Sequence, residues 1–312
     1  MACLVIALHH YAQNILVSGD SDNIIWHALS AQGGYSGVAL FFFLSGYGLA
    51  ESEQKQHLSV PQFIKKRFWK VYEPVLIINL ITWICYQSVA FAQSEMWNDI
   101  PLASVFLVDY LDYYFWFVAI LFVCYAFFPL YGHFRDKSAH IIVLVASTAL
   151  VIIVLFLCKV SVNHWISIPF FTLGVLFSEQ TDWFKRNQVR LLYWLSITFL
   201  LVLCICIARI LHAPAMLHLA INITQTVILL FVVSKWAISL PTIAICEISY
   251  PIYLIHHKII DSSLFFGHLI PWWLFIFITL YLGWLLHKTN NMVRSITSRV
   301  FRVTSQRNSI RR

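Results

Sequence analysis

Charge is scarce in this chain: Asp, Glu, Lys and Arg make up 11% of its 312 residues, against roughly 25% in an average soluble domain. Sixty per cent of the residues are hydrophobic and the mean hydropathy is +0.76. A soluble core could not absorb that much apolar surface, so the composition reads as an integral membrane protein. The seven cysteines never form a CxxC pair. All lie within or at the edge of apolar segments, where they read as small apolar residues rather than metal ligands or disulfide partners. A glycine-rich Walker-type phosphate cradle is also missing, which argues against a nucleotide triphosphatase. No basic leader precedes the first apolar segment, and His9 and His10 interrupt it, so a cleaved signal peptide is not expected. The two halves show no clear similarity, as inverted transporter repeats would. The one glycosylation sequon, Asn222-Ile223-Thr224, falls inside an apolar segment.

What the chain does have is a series of about ten greasy segments, at roughly 2–18, 34–50, 71–92, 113–132, 139–158, 164–178, 190–211, 215–234, 241–260 and 269–287. These predict an all-α bundle of about ten transmembrane helices. Placing both termini in the cytoplasm leaves only Lys159, Arg209 and Lys258 outside, so 18 of the 21 basic residues lie on one side, the bias expected of cytoplasmic loops. Asp20, Asp22, Glu95, Asp99, Asp109, Asp112 and Asp261 fall on the other side. We expect one membrane domain, 1–290, followed by a basic cytoplasmic tail, 291–312. In that tail Arg294, Arg299 and Arg302 alternate with Ile296, Val300 and Phe301 in the manner of an amphipathic surface helix. The net charge of +7 therefore reads as topology and anionic-lipid contact, and nucleic acid is not an expected partner.

Ionisable groups inside a bilayer are costly, so each is a functional candidate. The first segment reads LVIALHHYAQ. Adjacent residues are about 100° apart around a helix, so only one of His9 and His10 can face a given cavity squarely. Ten residues place His10 about 15 Å along the segment, near mid-membrane if the first residue lies at the inner boundary. A histidine there can take a proton from a hydroxyl at neutral pH. A histidine bonded to a neighbouring helix fits the same sequence. The second segment, GGYSGVALFFFLSGYGLAES, offers Gly34, Gly37, Ser45, Gly46 and Gly48 for close helix approach. The stretch after it, VPQFIKKRFWKVYEP, gathers Lys65, Lys66, Arg67 and Lys70. Such a cluster can hold the phosphates of an activated donor or simply anchor the helix to the inner face. In the ninth segment Ser249, Tyr253 and His256 share a helical face at i, i+4, i+7, with Tyr250 and His257 on another. Pro251 lies between them and frees a backbone carbonyl.

In order, these pieces resemble the acyltransferase 3 family of membrane O-acyltransferases. The matching blocks are VIALHHY, FFFLSGYGL, the Phe63, Arg67 and Pro74 block, YFWFV and SYPIYLIH, spread over most of the chain. The resemblance implies a cytoplasmic acyl-coenzyme A (acetyl-CoA) donor and transfer of an acyl group, commonly acetyl, to a carbohydrate hydroxyl of an envelope glycan. It also implies a bacterial inner-membrane location and no metal. His10 matches the family's essential first-span histidine and would be the general base. Arg67 matches the arginine after span two and, with Lys66 and Lys70, would hold the donor phosphates. His9, Ser45, Tyr250, Tyr253 and His256 would line the cavity. One departure stands out: the family's basic residue upstream of that histidine would here precede Met1. Two other readings share these features. One is a proton-coupled transporter using His10 and His256, and the other is a catalytically silent acyltransferase-like protein.

Overall fold

The apolar segments fold as helices because a backbone deprived of water must satisfy its polar groups within each segment. The computed structural model describes residues 2–19, 23–56, 58–93, 102–107, 116–131, 137–186, 217–226, 242–265 and 267–310. Every regular element among them is helical: α1 (Ala2–Ser18), α2 (Ile24–Ala28), a π turn (Leu29–Gly33), α3 (Gly34–Lys55), α4 (Val60–Gln93), a 3₁₀ turn (Leu102–Phe106), α5 (Trp116–Tyr131), α6 (Lys137–Leu157), α7 (Val162–Trp165) and α8 (Ile168–Arg186), then α9 (217–226), α10 (Thr242–Phe265) and α11 (Trp272–Ile310). By length and composition, one described helix can cross a bilayer, over Val60–Cys85. The apolar helices Ala2–Ser18, Trp116–Pro129, Ile141–Leu157 and Ile168–Ser178 are shorter. The expected span 190–211 lies outside the described residues, and 215–234 is described only over 217–226.

The chain divides into two compact units, 2–68 with 113–240 and 69–112 with 241–312. In the first unit α3 packs along α8, and two glycines set the crossing. A Cβ on Gly46 would stand 2.1 Å from the Phe171 carbonyl oxygen, and one on Gly174 would stand 2.1 Å from that of Phe43. The two backbones therefore touch, as small residues permit in membrane bundles. Gly37 does the same for α1, where a Cβ would meet Ile6 Cγ1 at 2.4 Å and the Ala2 carbonyl at 3.1 Å. Gly48, grouped with these by sequence, faces open space. Phe42, Phe117, Phe128 and Phe170 fill the core between the helices.

α1 pairs with the N-terminal end of α3. Gly37 lies beside Ala2 and Ile6, while Gly33 and Gly34 lie beside His9. From Gly37, α3 runs on for eighteen residues to Lys55, about 27 Å. The start of α1 is therefore level with the first turns of α3 rather than with its far end, and His9 and His10 stand at the end where α3 begins.

In the second unit, α10 and α11 pack through Gly283, whose Cβ would lie 2.8 Å from Ile252 Cγ1. The basic stretch and the third apolar segment form one unbroken helix, α4, with Pro74 inside it. The last apolar segment and the basic tail likewise share α11, so position 290 falls within a helix. Asn79 holds the 3₁₀ turn by donating to Val105 O at 3.2 Å and Leu107 O at 3.0 Å.

Candidate active site

His9 faces α3, and the reason is local. The π turn widens the helical ladder ahead of Gly33 and Gly34, and these glycines leave room for an imidazole. A Cβ on Gly34 would come within 2.6 Å of His9 Nε2. His9 Nδ1–H donates to the Leu29 carbonyl at 2.9 Å, and the residue is 8% exposed. His9 thus serves as a packing group that ties α1 to the π turn.

His10, one position round the helix, is half-buried and lies 4.9 Å from the His9 ring centroid at 64°. Its Nδ1 lies 3.2 Å from Gln13 Oε1. A carbonyl oxygen only accepts, so this bond places the imidazole proton on Nδ1 and the basic lone pair on Nε2. Gln13, at i+3 on the same helix, is a residue that sequence reading missed. Its one sequence signal is that spacing.

The second cluster lies along α3 toward its C-terminal half. Arg67 stacks over the buried Phe63 one turn earlier on α4, at 5.5 Å. Phe63 in turn stacks on Phe128 of α5, at 5.4 Å and 22°. This aromatic base holds the guanidinium part-buried, and its Nε has no hydrogen-bond partner. Tyr125 of α5 is the electrostatic neighbour of Arg67, together with Glu53, and the Tyr125 hydroxyl bonds to Ser45 of α3. Ser45 and Gly34 are eleven residues apart on α3, about 17 Å along its axis. Lys65 and Lys66 are exposed on α4.

His9, His10, Ser45, Lys66 and Arg67 thus belong to one unit. Lys70, Tyr250, Tyr253 and His256 belong to the other. There the Tyr250 hydroxyl donates to the Val71 carbonyl at 2.8 Å, beside the turn that Pro74 deprives of a donor. Tyr253 stacks on Tyr250 at 6.5 Å, and buried His256 donates Nδ1–H to its own helix at Tyr253 O, 2.6 Å away. Glu73, 7% exposed, accepts from Arg294 Nε at 2.6 Å, while Arg294 Nη2 donates to Trp69 O. The SYP block and the basic tail are both anchored on the first turns of α4 beyond Phe68. Of the YFWFV block, Tyr114 and Phe115 lie outside the described residues.

Helices as the regular elements of the described residues, with a histidine packed on glycines at the start of α3 and a part-buried arginine on α4, fit a helical, membrane-associated class of protein. A family model described as an acyltransferase domain matches residues 1–288. The chain belongs to the acyltransferase 3 family. No curated protein and no solved structure matches it.

Proposed function

We propose that the protein is an O-acyltransferase of the bacterial inner membrane that moves an acyl group, acetyl in the simplest case, from acyl-CoA to a hydroxyl of an envelope carbohydrate. The observation that carries this reading is the part-buried Arg67, whose Nε lacks a partner, in the same unit as a histidine whose proton is directed to Nδ1. A guanidinium held on an aromatic base with an N–H to spare suits bidentate contact with phosphate. Lys66, on the same helix and in the same unit, supplies further positive charge for the donor's phosphates.

The two clusters lie some 17 Å apart along α3, so phosphates held at Arg67 require an extended donor arm to bring the thioester to His10. There His10 Nε2 removes the acceptor hydroxyl proton as the oxygen attacks the thioester carbonyl. The new C–O bond forms and the C–S bond breaks. The coenzyme A thiolate leaves and takes the proton back from the imidazolium. The test is coenzyme A release from acetyl-CoA by purified protein, with and without envelope glycan. Acceptor-dependent release that vanishes in His10→Ala supports the reading. Failure to bind acetyl-CoA, or release that is indifferent to His10, overturns it.

A further inference from the structure

A polar cluster that no step above uses lies around the start of α3, within the same unit as the histidine pair. Its centre is Gln32, in the π turn, which uses both ends of its carboxamide. Its Oε1 accepts from His218 Nδ1 at 2.6 Å, and its Nε2 donates to Asn222 Oδ1 at 2.9 Å and Ser36 Oγ at 3.1 Å. Ser36 also donates to Asn222 Oδ1, at 3.3 Å. The His218 ring stacks on Tyr35 at 4.0 Å and 20°. Gln32, Tyr35 and Ser36 lie at the same level of the helix as Gly33 and Gly34, on which His9 packs, with Gln32 and Ser36 turned to the other side of it.

Asn222 is 1% exposed, and two donors converge on its Oδ1. With Gln32 Oε1 accepting from His218, that sets the amide orientation, since a flip of Asn222 alone would turn its amide hydrogens against those of Gln32. Its Nδ2 is left buried with no hydrogen-bond partner. One turn further on the same face of α9, Thr226 Oγ1 is also buried without a partner. Buried polar groups are paired as a rule, and orphans call for an explanation. The cost of an orphan is higher still where water is excluded. His218 donates through Nδ1, so its neutral ring carries an acceptor lone pair on Nε2. The cluster therefore offers a donor, Asn222 Nδ2–H, and an acceptor, His218 Nε2, one helical turn apart.

We infer that Gln32, Tyr35, Ser36, His218 and Asn222 form a subsite that holds the acceptor, through neutral hydroxyls of a sugar ring, at the level of α3 where His9 packs. The chemistry selects the ligand class. A hydroxyl both accepts and donates, and so satisfies both groups, whereas a carboxylate or a fully ionised phosphate ester has no hydrogen to give His218 Nε2. No cation or anion belongs to the cluster, which suits an uncharged ligand. The inference rests on the acyltransferase reading for the identity of the acceptor, but its test does not use acyl transfer.

The experiment is saturation-transfer NMR on the full chain in phosphatidylcholine nanodiscs, with methyl α-D-glucopyranoside, methyl α-D-mannopyranoside and methyl α-D-galactopyranoside as probes. Asn222→Asp keeps the oxygen that Gln32 and Ser36 bond and deletes the orphan donor. His218→Phe keeps the ring on Tyr35 and deletes both nitrogens. Each should weaken binding of at least one glycoside about tenfold, the effect of one lost hydrogen bond to a desolvated partner. Acetyl-CoA binding on the same samples reports folding. It also separates the two ideas, because glycoside binding can fail while the donor site stands, and the reverse. Wild-type protein that shows no transfer to any glycoside, or folded variants that bind like wild type, overturns the subsite.

Discussion

Replacing Arg67 separates a donor site from a simple membrane anchor. Truncation to Ala removes a cation–π contact with Phe63, about 0.5–1 kcal/mol for a partly exposed pair. It also removes a buried Nε that has no partner, which relieves a desolvation cost of about the same size. The amount of folded protein should therefore change little. Affinity for acetyl-CoA should change much more, because losing a charge-assisted phosphate contact costs about 1.5–3 kcal/mol, or about tenfold to a hundredfold. Lys65 is exposed on the same helix, and Lys65→Ala should cost under about 1 kcal/mol. Arg67→Lys keeps the charge but loses the planar fork, so its affinity should fall between wild type and Ala. Titration calorimetry of acetyl-CoA into detergent-purified variants, alongside size-exclusion profiles, measures both quantities. Equal, small affinity losses for Arg67→Ala and Lys65→Ala would refute the argument and leave the cluster as a topology signal.

Ala at Gly46 or Gly174 drives a Cβ into a carbonyl oxygen and should lower stability in detergent by about 1–3 kcal/mol or more. Gly48→Ala meets nothing and should be neutral, with thermal unfolding as the readout. Arg294→Ala leaves the mostly buried Glu73 carboxylate without its 2.6 Å partner. It should cost about 1–3 kcal/mol, and Glu73→Gln with Arg294→Ala should recover part of that loss in a double-mutant cycle. Reporter fusions after Gly19 and after Arg312 should report opposite faces of the membrane, and a shared face would contradict the topology.

The helical class was legible because hydropathy and periodicity act over whole segments. The small residues of the second segment were also legible, with Gly48 as the exception, since sequence cannot say which side of a helix meets a partner. The i, i+4 pairing of Phe63 with Arg67 follows from helical spacing. So does the rule that His9 and His10 cannot share a direction, although spacing did not show which one meets α3. The Ser45–Tyr125 bond was not legible, because each is a single polar residue in an apolar run and the two are far apart in sequence. The same holds for Gln32 with His218 and Asn222, separated by 186 and 190 positions. The placing of His10 near mid-membrane counts residues from the start of α1, and what the structure adds is that Gly33 and Gly34 lie beside His9 and Gly37 beside Ala2 and Ile6. Nor was it legible that the Tyr250 hydroxyl would donate to Val71 O, three residues before the Pro74 inside α4, since the two lie far apart in sequence.

The most direct test of the account is turnover per folded molecule in His10→Ala and His9→Ala, each checked for membrane insertion and monodispersity. His10→Ala should fold normally and lose about 10²- to 10⁴-fold in turnover, the usual effect of removing a general base. His9→Ala, which loses the bond to Leu29 O and leaves a void against Gly34, should chiefly reduce the yield of folded protein. Near-normal turnover in folded His10→Ala would contradict the mechanism.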